Sequence, residues 1–358
     1  MNQLYYCRIA KPKSGLCNQL FALVTGIILA YQKKAKILIL CLFLNDYLSN
    51  NLTPISHIID LKQLDDFVFS NYGIHILDKN YIKLNIHKVI YGVKQNFVDI
   101  TDIVIDKFYV NNTLLIDKNV NLNLLGLGDP LFGQQKYVEI TYSLNDITLT
   151  DKYEEKYGFL KTPICFNLTN RNFQYDMGWV NKYNKPMFDN ILKNIVFLKK
   201  WNVPEIEKTK ISNYDKINII HLRLEYDAIQ HWSKMNSMNE SYFKKYIYIK
   251  YITIIRKYIN KNDTTILVSQ SVSNPVIDFL RENGYRYLIN KKFFEDREKN
   301  AIVDFLISKN CNSIFIGNFN FFNSNGSTFS YYIAKLLKNN VKKIMIDLDR
   351  ICDNESVL

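Results

Sequence analysis

At 358 residues the chain is long enough for two domains, and for a core that needs no disulfide or metal to hold it. Hydrophobic residues make up 47% and charged residues 22%, which excludes a disordered, collagenous or coiled-coil chain. The net charge of +12 divides into +5 over residues 1–205 (23 basic, 18 acidic) and +7 over 206–358 (23 basic, 16 acidic), so it forms no basic tail. It leaves nucleic acid, an anionic membrane and anionic small molecules all open as partners.

Taken in chain order, residues 4–10 read as a short strand, and Ser14-Gly15-Leu16-Cys17-Asn18 as a turn with a helix-start signal. Leu20 to Tyr31 is apolar on most faces and predicts a buried helix. Lys36 to Leu44 predicts an interior parallel strand, which completes a βαβ unit. Residues 50–135 alternate short Ile/Val/Tyr-rich runs with Asn/Asp turns, and Gly126 to Pro130 reads as a loop. Asn181 to Lys200 has helical spacing, broken by Trp201-Asn202-Val203-Pro204, where the domain boundary is expected. The expected domains are therefore 1–203 and 204–358.

The second half alternates strands and helices. Strands are predicted at Ile217–Ile220, Thr265–Val268, Tyr285–Leu288, Ser313–Gly317 and Lys343–Ile346. Helices are predicted at Tyr242–Ile259, Pro275–Asn283, Asn300–Lys309 and Ser327–Lys338, with Gly284 as the stop of the second. That alternation predicts a doubly wound parallel sheet, which binds ligands outside the carboxyl ends of its strands.

The six cysteines contain no C-x-x-C pair and the five histidines are unclustered, so buried free thiols and no metal site are expected. The N-terminus lacks a basic segment followed by an apolar one, and the Leu20–Leu44 stretch is split by Gln32, Lys33, Lys34 and Lys36. Neither a signal peptide nor a membrane span is expected, which reads as a cytoplasmic chain. The excess of Ile, Lys, Asn and Tyr has the character of AT-rich coding DNA.

Three segments carry chemistry. His221-Leu222-Arg223-Leu224-Glu225-Tyr226-Asp227 follows a strand end, and if the strand continued, His221, Arg223, Glu225 and Asp227 would share one face. An exposed ion pair is the ordinary reading of such a face. Its place at a carboxyl strand end favours an Arg fork that grips phosphate, held in position by Glu225 or Asp227. Asn325-Gly326-Ser327-Thr328-Phe329-Ser330 opens a helix. It offers either a plain cap or a diphosphate cradle of backbone N–H groups and two hydroxyls. Gly15-Leu16-Cys17-Asn18-Gln19 offers a tight turn and amide groups. Neither G-x-G-x-x-G nor G-x-x-x-x-G-K-[ST] is present.

Together, S-G-L-C-N-Q-L near the N-terminus, H-L-R-L-E-Y-D at mid-chain and F-I-G-N…G-S-T-F-S near the end resemble the protein O-fucosyltransferase superfamily. The mid-chain motif is most similar to that of the plant O-fucosyltransferase-like proteins, some of which transfer rhamnose. Ala301-Ile302-Val303-Asp304 is similar to the family's C-terminal block. The likeness is firm at residues 14–20, 217–232 and 298–333 and weak over 45–200.

The resemblance implies an α/β chain of the GT-B type, two Rossmann-like domains facing across a cleft. It implies inverting, metal-independent transfer of a 6-deoxyhexose to a hydroxyl: fucose from GDP-fucose first, rhamnose from a nucleotide-rhamnose next. On that pattern Arg223 would hold the donor diphosphate as leaving group, and Asn18 would reach the phosphate or sugar from the N-terminal domain. Ser327, Thr328 and Phe329 would bind phosphate and flank the sugar. Asp304 would lie toward the base, and Gly15, His221 and Asp227 would shape the pocket. Glu225, Asp46 and Asp129 are candidate bases. The insert Phe319-Asn320-Phe321-Phe322-Asn323 departs from the pattern. The expected partners are a GDP- or UDP-linked sugar, as substrate with no further cofactor, and a glycan or protein hydroxyl. No nucleic acid is expected. A non-catalytic nucleotide-sugar- or glycan-binding protein of the same fold is the alternative.

Overall fold

The computed structural model describes residues 4–8, 15–41, 43–45, 52–78, 81–93, 96–125, 134–166, 184–201, 214–269, 273–289, 294, 297–319, 326–346, 348 and 356–357. Strand β1 (Leu4–Arg8), helix α1 (Leu16–Gln32) and strand β2 (Ile37–Cys41) open the chain, as the βαβ reading expects. A short antiparallel pair, β3 (Phe43–Asn45) and β4 (Leu52–Pro54), precedes α2 (Leu61–Tyr72) and β5 (His75–Asp78). β1, β2 and β5 form a parallel sheet in the order β1-β2-β5.

The next stretch is antiparallel. It comprises β6 (Leu84–Val93), β7 (Asn96–Asp99), α3 (Thr101–Phe108), β8 (Tyr109–Val110), β9 (Thr113–Ile116), β10 (Tyr137–Leu144), β11 (Ile147–Lys156), β12 (Phe159–Leu160) and β13 (Ile164–Phe166). Five of these strands form a sheet in the order β12-β11-β10-β6-β7, and three more the order β13-β9-β8. Along β10 every second residue from Val138 to Tyr142 is buried, the period-2 pattern of a strand with one face on a core. Leu84, Val89, Tyr91, Val138, Ile140 and Tyr142 join Ile37 and Ile39 in one core.

Helix α4 (Lys185–Lys193) begins with Asn184 as its cap and Pro186 in its first turn. Then come β14 (Ile217–His221), α5 (Tyr226–Met235), α6 (Glu240–Tyr258), β15 (Thr264–Val268), α7 (Pro275–Glu282) and β16 (Tyr287–Ile289). The chain continues with α8 (Arg297–Ser308), β17 (Ile314–Gly317), α9 (Thr328–Leu336), β18 (Lys342–Met345) and β19 (Ser356–Val357). These strands form one sheet in the order β16-β15-β14-β17-β18-β19. Counted from β14 this is 3-2-1-4-5-6, parallel except for β19. All five residues of β14 and of β15 are buried, as central strands covered on both faces must be.

The α/β class holds, and the doubly wound sheet lies where the strand–helix alternation put it. The chain divides into two compact units that interleave in sequence rather than follow one another. The first contains Met1–Arg8, Ala30–Cys41 and Phe69–Gln174, and the second Ile9–Leu29, Leu42–Val68 and Tyr175–Leu358. The expected boundary at 203/204 falls outside the described residues. Most of α1 therefore counts with the doubly wound sheet, because its apolar length packs there: Phe21 meets Phe188 of α4 and Tyr331 of α9 edge-on. Among the described strands of the first unit, β1, β2 and β5 run parallel and β6 to β13 pair antiparallel.

Candidate active site

β14 and β17 are neighbours in the sheet, with Ile219 opposite Phe315 and Ile220 opposite Ile316. The connections after them lead to opposite sides of the strand order, β14 toward β15 and β17 toward β18. This is the topological switch point, where a doubly wound sheet leaves a crevice at its carboxyl edge. The strand ends are His221 and Gly317.

β14 stops at His221 and α5 starts at Tyr226, so the alternation of His221, Arg223, Glu225 and Asp227 is not one face of a strand. A turn brings the charges together instead. Arg223 Nη1 donates to Glu225 Oε2 at 2.7 Å and Nη2 donates to Asp227 Oδ2 at 2.8 Å. Burial opposes the charge of Arg223, but the two carboxylates outweigh it and raise its pKa. Burial pushes the Asp227 carboxyl up, yet Arg223 and then Arg297 hold it below its ordinary value. Two of the five guanidinium N–H groups are used in this clamp, leaving three for a ligand.

The β17 side is built around small groups. A Cβ at Gly317 would sit 2.8 Å from Phe315 Cζ and 2.9 Å from Ser330 Oγ. Gly326 has φ +100°, and a Cβ there would lie 2.8 Å from the Asn318 carbonyl oxygen. The loop stem closes through the Phe319–Gly326 bridge and the Ser327 N–H donating to Asn318 O at 2.6 Å. Ser327 caps α9 by accepting from the Ser330 N–H at 3.4 Å. Ser330 Oγ accepts from the Asn318 N–H at 3.0 Å and meets His221 Nδ1 at 2.6 Å. The His221 ring lies 4.8 Å from that of Phe329, which stacks on Phe305 at 4.3 Å. Burial, and then the charge of Arg223, lower the His221 pKa to about 3, so the imidazole is neutral.

The start of α1 adds a third side. The Leu16 N–H donates to Glu298 Oε2 at 2.5 Å, which places a buried carboxylate on that helix's positive end. A Cβ on Gly15 would lie 3.7 Å from Glu298. Burial pushes the Cys17 thiol up, Glu298 adds to this and Arg223 opposes it, so all three share one electrostatic neighbourhood. Asn18, half-buried, is in this first turn of α1. Cys17 and Cys311 are free and buried, as expected of scattered cysteines.

The structure thus brings together Arg223, Glu225, Asp227, His221, Ser327 and Phe329, with Thr328 in the first turn of α9. It places Gly15 at Glu298, and Asn18 in the unit that holds Arg223 rather than across from it. Glu225 is bonded to Arg223 and holds its guanidinium. Asp304 stands apart: six residues after Glu298 on α8 is about 240° of rotation, so it leaves the helix on another side. Asp46, Asp129 and residues 320–323 of the insert lie outside the described residues. Among the described residues no group of three or more His, Cys, Asp or Glu could hold a metal ion. No described helix is long and apolar enough to cross a membrane.

Sequence reasoning missed Tyr251, Arg297 and Glu298, and gave Ser330 no role of its own. Tyr251 had a signal. It falls on the buried stripe Phe243, Ile247, Tyr251, Ile254 and Ile255 of α6, where a hydroxyl must find a partner. Glu298 had none, because an acid in a helix's first turn is ordinary.

No protein-family model and no curated protein matches the chain. Solved structures do. The chain is similar to fucosyltransferases. NodZ α-1,6-fucosyltransferase co-crystallised with GDP aligns at 11% identity over 100% of this chain and 98% of its own, with a TM-score of 0.47. NodZ from Bradyrhizobium aligns at 11% identity over 100% and 99%, with a TM-score of 0.45. POFUT1 in its apo form aligns at 11% identity over 94% and 95%, with a TM-score of 0.43. Against NodZ soaked with GDP-fucose the chain spans about half, 49% of itself and 53% of that chain, at 14% identity and a TM-score of 0.31. Likeness of this degree leaves the chemistry to be read from this chain's own residues.

Proposed function

We propose that the protein is a GT-B glycosyltransferase that transfers a 6-deoxyhexose, fucose from GDP-fucose, to a hydroxyl acceptor by an inverting, metal-independent route. One observation carries the reading. At the switch point of a doubly wound sheet, the pre-clamped Arg223 and the N-terminus of α9 approach the same two strand ends. The choice of fucose rests on the likeness of the three sequence motifs.

The chemistry follows from charge. As an acceptor oxygen bonds to the anomeric carbon, the bond from that carbon to the phosphate oxygen breaks and its electron pair leaves with the diphosphate. The products are the glycoside, the nucleoside diphosphate and one proton. Negative charge grows on the diphosphate, and fixed cationic and N–H groups there lower the barrier. Arg223, held by Glu225 and Asp227, supplies the cation without reorganising. The free N–H groups at the start of α9 and the Ser327 and Thr328 hydroxyls supply the rest. Neutral His221 orients Ser330 and Phe329 without adding charge.

The test is binding followed by turnover. GDP at 100 times its Kd should stabilise the fold by about 2.7 kcal/mol, visible as a rise in Tm. Fucosyl transfer from GDP-fucose should then persist in excess EDTA. Absence of stabilisation by GDP, UDP and dTDP alike would rule the reading out, and loss of transfer in EDTA would rule out its metal-free form.

A further inference from the structure

The two carboxylates that clamp Arg223 come from its own turn, two and four residues on. They fix the guanidinium within that turn, not the turn against the β17 side of the crevice. The tie across is Tyr251. Its wholly buried hydroxyl donates to the His221 carbonyl at 2.7 Å, accepts the Arg223 backbone N–H at 3.3 Å and meets the side-chain amide of Asn318. His221 ends β14 and Asn318 follows β17, so one oxygen on α6 joins both strand ends to the backbone of Arg223.

The valences of the hydroxyl close in one arrangement. A phenol has one hydrogen and two acceptor sites. With Asn318 Oδ1 toward the hydroxyl, Nδ2 is left buried without a partner and two acceptors compete for one hydrogen. With Nδ2 toward it, the hydroxyl donates to His221 O and accepts from Arg223 N–H and Asn318 Nδ2, using all three of its own capacities, while Asn318 Oδ1 takes the buried position that has no partner.

We propose that Tyr251, locked by Asn318, is a positioning residue that sets Arg223 against the start of α9. The proposal rests on the reading of Arg223 as the diphosphate-binding group. The hydroxyl touches no reacting atom and acts through the Arg223 backbone.

The test is a double-mutant cycle on GDP affinity, measured calorimetrically with the folded full chain: wild type, Tyr251→Phe, Arg223→Lys and the pair. Tyr251→Phe should weaken GDP about tenfold, the worth of one buried hydrogen bond. The pair should bind no more weakly than Arg223→Lys alone, because the hydroxyl acts through Arg223. A merely structural tyrosine would lower Tm and leave GDP affinity in place. If Arg223→Lys weakens GDP but Tyr251→Phe does not, or if the two losses multiply, the positioning role is overturned and the donor reading stands. If wild type binds no nucleoside diphosphate, both fall. Should Tyr251→Phe not fold, Asn318→Leu takes its place in the cycle. It keeps the hydroxyl but unlocks it, so a smaller loss is expected, again absent on top of Arg223→Lys. Multiplying losses there overturn the proposal equally.

Discussion

The two units open alike and end differently. In the first, β1, β2 and β5 lie side by side in chain order, although most of α1 and α2, which come between them in the chain, count with the second unit. In the second, β14, β15 and β16 repeat that arrangement, but β17 then pairs on the free side of β14. That single addition creates the switch point, and the charged and hydroxyl groups of the candidate site gather on its two strands. The first unit turns antiparallel after β5, and its described strands contain no such divergence. A parallel sheet binds at its carboxyl edge only where two neighbouring strands part.

Buried charge shows the same contrast. In the first unit Lys136 Nζ lies 3.6 Å from Glu155 Oε1, both almost fully buried, and Glu155 also accepts the Lys136 and Gly158 N–H groups. That carboxylate closes a β-turn and is shut off from solvent. In the second unit the Arg223 side chain is 18% exposed, and Asp227 is half-exposed. The first arrangement is buried and structural, and the second is clamped but still open to a ligand.

The largest effect that would sharpen this contrast is on stability. Glu155→Ala strands a buried lysine and should cost about 3–5 kcal/mol in a urea titration while leaving GDP affinity in the folded protein unchanged. Arg223→Ala should do the reverse. It should lower fucosyl transfer by at least about 10²–10³-fold with Tm near wild type, and near-normal transfer would remove the site from the second unit.

Acid should act through His221. Its folded pKa of about 3 lies below the unfolded value near 6.5, so between these the unfolded chain binds the extra proton. Stability is therefore present above pH 6.5 and falls as pH drops toward 3, by about 2 kcal/mol between pH 7 and 5. His221→Asn should flatten that slope, and an unchanged slope would mean the imidazole is not neutral and buried. The smallest effect is at the cap: Ser327→Ala should cost about 1 kcal/mol of stability. A GDP affinity unchanged in that variant would confine Ser327 to capping.

Legibility in the sequence followed the source of each element's stability. The strands Ile217–Ile220 and Thr265–Val268 are short apolar runs, and α7 carries Pro275 at its start and a positive-φ Gly284 after its end, so local signals sufficed. Helix α5 was not legible. The alternation of His221, Arg223, Glu225 and Asp227 has strand period, while Ala228, Ile229 and Trp232 carry the helical one. The antiparallel sheet was legible only as scattered runs. β6 pairs with β10, placing Leu84 opposite Leu144, and such a register depends on residues far away in the chain.

By itself the sequence determined the α/β class, the strand–helix order of the second unit and Arg223 as the cation to watch, because periodicity, caps and a charge after a strand end are local properties. Only the tertiary structure decided that α1 counts with the second unit, that Glu225 and Asp227 both hold Arg223, and that Tyr251 ties the two strand ends. Each of these depends on which buried groups satisfy one another across distant segments, and an unfolded chain makes none of those pairings.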